Sequence, residues 1–198
     1  MSAKKDVLVF FNFRSPYCYL ASKKMFELED RHGAHFVWRP LGGWAGRSPP
    51  ERAKYKLPIV RQDVKRWCRR MGIPFNPPPV TTDPTIAAAG SVLAEKQGKL
   101  REYVVAVMAK EWAEGADIGD PEVLLAVGES VGLGRLELAR TIEDPDVMAQ
   151  LERNHEEATE KGAFGVPTFI IGDQIFWGQD RLDFVAEHLD ELESGQTA

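Results

Sequence analysis

The strand-forming residues of this chain sit at its two ends, and that separation narrows the folds open to it. Residues 7–13 are apolar and rich in Val and Phe, then run into Arg14-Ser15-Pro16; they read as a buried strand ending in a turn. Residues 17–31 follow with Leu20, Ala21, Lys24, Met25 and Leu28 at helical spacing, which predicts one helix. Gly33 stops it, and residues 35–39 form a second strand closed by Pro40. Strand, helix and strand in so short a stretch make one crossover unit of a parallel sheet.

No further strand pattern follows until residue 167. Residues 41–50 are rich in Gly and Pro and read as a loop leaving the sheet. Helices are expected at 59–71, 85–98, 99–115, 121–131, 135–141 and 147–162, with 75–84 too rich in proline for regular structure. Residues 167–171 and 174–177 then flank Gly172-Asp173, a hairpin signal. A last helix over 180–189 places Leu182, Val185, Ala186 and Leu189 on one face, with Asp180 at its cap. The order predicts an α/β, thioredoxin-like fold with an all-helical domain inserted after the second strand. Its expected parts are 1–45 and 161–198 for the thioredoxin-like domain and 46–160 for the insertion.

Charge and cysteine usage remove several function classes. Lys and Arg number 25 against 30 acids, a net charge of -5, so no basic excess exists to neutralise phosphates and no nucleic-acid partner is expected. The run Lys65, Arg66, Arg69 and Arg70 is interrupted by Trp67 and reads as a solvated or partner-facing helix face. No stretch approaches the roughly 18 apolar residues of a membrane span. The polar start has no secretory pattern, which points to the cytoplasm. Cys18 and Cys68 are too few for a disulfide framework or a thiolate metal site, and the four histidines lack ligand spacing.

Two short motifs carry chemistry. Ser15-Pro16-Tyr17-Cys18 lies where the first strand meets the first helix. One reading makes Ser15 a plain N-cap followed by proline at the first helical position. The other makes it the residue that holds the sulfur of a bound thiol as thiolate. Gly165-Val166-Pro167-Thr168 opens the third strand. Pro167 is either an ordinary strand-start proline, or follows a cis bond that turns the Val166 backbone toward an extended ligand.

Ser15-Pro16-Tyr17, Gly165-Val166-Pro167-Thr168 and Phe176-Trp177-Gly178-Gln179-Asp180-Arg181-Leu182, in this order and spacing, resemble the 2-hydroxychromene-2-carboxylate isomerases and the related kappa-class glutathione transferases. The likeness covers most of the chain and is looser in the middle. It implies glutathione as cofactor and Ser15 against its sulfur. Val166 would pair with the cysteinyl unit beside a cis Pro167. Gln179 and Asp180 would hold the γ-glutamyl end, and Lys56 would lie near the glycyl carboxylate. Asp180 also makes independent sense there, as an acceptor for an ammonium. Phe13, Tyr17 and Trp44 are candidate substrate-lining residues. Arg47 stands where the family often has asparagine, and there it can bind a carboxylate. Cys18 occupies only the second position of a Cys-x-x-Cys pair and reads as core packing.

The resemblance implies a glutathione-dependent isomerase of a small aromatic carboxylate, acting as a homodimer through reversible thiolate addition. The alternatives are a kappa-like glutathione transferase, a thiol–disulfide exchange protein, and a non-catalytic glutathione binder.

Overall fold

The computed structural model describes residues 4–43 and 50–195. β1 (Lys5–Phe11) pairs parallel with β2 (Ala34–Pro40) and antiparallel with β3 (Thr168–Ile171). β3 pairs antiparallel with β4 (Gln174–Trp177), so the sheet order is β2-β1-β3-β4. The interior strands are covered on both faces and read as apolar runs: Val7, Val9, Phe10 and Phe11 are all fully buried. The edge strand β2 alternates instead, with Ala34, Phe36 and Trp38 inward and His35 exposed.

The helix expected over 17–31 is two. α1 (Pro16–Ala21) and α2 (Glu27–Arg31) are separated by turns. Ser22 Oγ donates to Tyr19 O at 2.7 Å, a local bond that competes with helix continuation. The break lets Met25, Phe26 and Leu28 all be buried, and Phe26 meets Phe36 of β2 with ring centroids 5.6 Å apart.

Between β2 and β3 lie α3 (Pro50–Met71), α4 (Thr85–Lys96), α5 (Leu100–Trp112), α6 (Pro121–Ser130), α7 (Arg135–Thr141) and α8 (Pro145–Glu160). α3 begins well before the expected residue 59. Pro58, of a residue type that usually breaks a helix interior, lies inside it on the solvent side. The inner stripe of Val60, Val64, Trp67, Cys68 and Met71 continues past it. α6 and α8 each start with Pro behind an aspartate cap, Asp120 and Asp144.

Specific bonds dock these helices on the strands. Trp38 Nε1 donates to Ser91 Oγ at 2.9 Å, and Asn154 Nδ2 donates to Pro40 O at 2.9 Å. Trp112 Nε1 donates to Phe13 O at 3.0 Å. The chain closes with a 3-10 turn (Gln179–Arg181) and α9 (Leu182–Ser194), so the last helix starts two residues later than Asp180 suggests. Among the described residues no helix is long and apolar enough to cross a membrane.

Candidate functional site

Ser15 caps α1, with Pro16 at the first helical position. Its Oγ accepts from Cys18 N at 3.3 Å and donates to Val166 O at 3.2 Å. The Val166–Pro167 bond is cis. Pro167 O in turn accepts from Gly178 N at 2.9 Å. These two bonds hook together three segments far apart in sequence: the start of α1, the loop before β3, and the turn before α9. Adjacent strands β1 and β3 bring the first two together, and the β3–β4 hairpin returns the third.

Gly178 has φ 109°, a conformation that side chains resist. A Cβ there would stand 2.6 Å from Asp180 Oδ1, so glycine keeps this space open for the carboxylate. Gln179 is buried, whereas the Asp180 carboxylate is exposed and pairs with Arg181 at 3.0 Å. Ser15, Val166, Pro167, Gln179 and Asp180 therefore form one cluster.

Tyr17 extends the cluster toward the helical region. Its hydroxyl donates to Asp63 Oδ2 of α3 at 2.9 Å. Burial pushes the phenol well above its ordinary value, helped by the bond to Asp63 and by the charges of Asp63 and Asp180. Sequence patterns do not single out Asp63; the available signal is its place on the inner stripe of α3, two turns from Lys56. Lys56 itself is exposed on α3. Phe13 is fully buried, with its ring against Phe11 and Tyr103 in the core, and offers no surface to a ligand. Trp44 and Arg47 lie outside the described residues.

Cys18 is fully buried. Burial pushes its thiol up to about 12, against the opposing pull of hydrogen bonds from the Asn12 backbone and Ser15. A thiol so placed is a poor nucleophile. Buried Asn12 shapes the turn, its Oδ1 accepting from Arg14 N at 2.9 Å. The chemistry this cluster can do is to hold an extended ligand at Val166, fix a cationic group at Asp180, and present one hydroxyl to the ligand's centre.

Residues 6–190 match the family described as a DSBA-like thioredoxin domain. A 2-hydroxychromene-2-carboxylate isomerase of Sphingobium xenophagum is 30% identical over 194 residues, covering 93% of this chain and 98% of its own. Glutathione S-transferase kappa 1 of Homo sapiens is 24% identical over 208 residues, covering 94% of this chain and 92% of its own. Among solved structures, a 2-hydroxychromene-2-carboxylate isomerase superposes with a TM-score of 0.82 at 25% identity, over 98% of this chain and 100% of that one.

Proposed function

The chain is an enzyme of the DSBA-like thioredoxin-domain family, in the branch of the 2-hydroxychromene-2-carboxylate isomerases, and we propose that it is a glutathione-dependent cis–trans isomerase of an aromatic keto acid. The substrate is 2-hydroxychromene-2-carboxylate or a close analogue, and the product is trans-o-hydroxybenzylidenepyruvate or its counterpart. The observation that carries this reading is the hook of Ser15 onto Val166 and of Pro167 onto Gly178, which places a hydroxyl, a strand-like backbone and an exposed carboxylate side by side. Bound glutathione supplies a thiolate whose reversible addition to a conjugated carbon leaves a single bond free to rotate.

The chain's own residues bind and orient. Ser15 has one hydroxyl proton, which it donates to Val166 O. Turned toward a sulfur, the same proton stabilises the anionic form by a charge-assisted bond. Val166, just ahead of β3, offers backbone groups to an extended tripeptide in the manner of an added strand. Asp180 accepts from the γ-glutamyl ammonium, with Gln179 beside it, and Lys56 attracts the glycyl carboxylate. The space that Gly178 keeps open beside Asp180 fits this assignment.

A second reading, glutathione transfer to an electrophile, is supported by the 24% identity to the human kappa enzyme. It uses the same cluster and differs in whether glutathione is consumed. Thiol–disulfide exchange through Cys18 is disfavoured by that thiol's burial.

Calorimetric titration tests the binding half of the proposal. The expected outcome is saturable glutathione binding that Asp180→Ala weakens about 10- to 100-fold, the usual cost of losing a bond to a charged group. Binding unaffected by that change would remove Asp180 from the site.

A further inference from the structure

Two aromatic rings meet in the open beside the loop that carries Val166. Phe164 is 74% exposed and Trp177 48%, and their ring centroids lie 4.5 Å apart. Rings left so open return little burial energy, so core packing does not explain the contact.

The pair is built against the loop backbone. Trp177 ends β4 in register with Thr168, the first residue of β3. Its indole edge lies on Gly165, where a Cβ would stand 2.5 Å from Nε1 and 3.1 Å from Cε2. Only glycine lets the ring come so close. Phe164 packs on the same indole, and the two residues of chain from it to Val166 span at most about 7 Å. The indole therefore touches both residues that lead into Val166.

Hydrogen bonds tie the neighbours of Val166. Thr168 Oγ1 donates to Gly165 O at 2.7 Å, and Gly178 N donates to Pro167 O at 2.9 Å. Among the described residues Val166 itself accepts one bond, from Ser15 Oγ at 3.2 Å. That bond uses the single hydroxyl proton that a bound thiolate would need. Ser15 cannot hold Val166 and stabilise a sulfur anion at once.

We propose that Trp177, together with Phe164, is a positioning residue that clamps this loop, so that Val166 keeps its place when Ser15 turns its proton from Val166 O to the sulfur. The inference rests on the glutathione reading above. With the loop held from the Gly165 side, Val166 O accepts from a backbone N–H of the ligand in place of Ser15. Without the indole, Ser15 stays on Val166 as its remaining tether, and the bound thiol loses its donor.

The test reads glutathione affinity by calorimetry and ionisation of the bound thiol by its ultraviolet absorbance, in the wild type, Trp177→Ala, Trp177→Phe and Phe164→Ala. In Trp177→Ala the affinity should fall about 10-fold, and the acid dissociation constant of the bound thiol should fall on the order of 3- to 10-fold, toward that of the free thiol. Trp177→Phe keeps a ring beside Gly165 and should recover most of both. Phe164→Ala should move both in the same direction by less. A lost ligand contact alone predicts weaker binding with an unchanged thiol constant, and that result overturns the proposal. If Trp177→Ala does not fold, Phe164→Ala decides by the same two readings, because its ring is mostly exposed. Glutathione that does not bind the wild type, or binds without ionising, overturns the functional reading and this inference with it. A wild type that ionises the thiol, with variants that match it in both readings, overturns the inference alone.

Discussion

Ser15 serves two structural bonds at once, accepting from Cys18 N and donating to Val166 O. Ser15→Ala removes both. The cap is worth about 1 kcal/mol, which a denaturant titration should recover as lost stability. Glutathione should still bind, because Val166 and Asp180 are untouched, but its thiol should return to about 8.5. A bound thiol that stays acidic in this variant would contradict the role given to Ser15. Cys18 makes a separate prediction. Its folded value of about 12 lies above the ordinary 9.0, so the folded chain holds a proton that the unfolded chain releases. Its contribution is fully present below about pH 9 and is lost as pH rises toward about 12. Denaturation midpoints should therefore fall with alkaline pH, and Cys18→Ala should flatten part of that fall.

At the scale of elements, close approach depends on small residues in α4. Ala87, Ala88, Ala89 and Gly90 are all buried. A Cβ on Gly90 would run into the Tyr103 hydroxyl, which is itself bonded to Ala87 O at 3.0 Å. Alanine gains about 1 kcal/mol in helix propensity over glycine. The buried, anchored tyrosine cannot yield cheaply, and overpacking of this kind costs about 1–3 kcal/mol. Gly90→Ala should thus be destabilising in thermal unfolding, and Tyr103→Phe should relieve part of the loss when combined with it. The Tyr17–Asp63 bond joins α1 to α3, and Tyr17→Phe should cost about 1 kcal/mol and speed amide exchange in α3.

The elements also show what local sequence carries and what it omits. The apolar runs of β1 and β3 and the Gly172-Asp173 turn are legible because each is a local pattern. The break between α1 and α2 is not, because helical spacing persists across it while Ser22 and the packing of Phe26 decide the matter. The early start of α3 is not legible either, because the described residues of its first turns are exposed and carry no apolar stripe, and Pro58 interrupts them.

For the whole molecule, the order of strands around the helical region determines the sheet, and the sheet determines the site. Ser15, Val166, Pro167, Gln179 and Asp180 are each visible as parts of short motifs, and the β2-β1-β3-β4 order brings them together. Glu111 is not visible, and Asp63 is marked only by its place along α3, which does not tell what it meets. Their partners Tyr17 and Arg14 lie on a different element, and no local spacing signals a contact made only when the helical region docks. Isomerase activity has one direct test. The protein is incubated with 2-hydroxychromene-2-carboxylate, with and without glutathione, while the ultraviolet-visible spectrum and the free thiol are followed together. The expected result is conversion to the open trans acid that requires glutathione and leaves its amount unchanged. Conversion without glutathione, or glutathione consumed in step with the substrate, would contradict it.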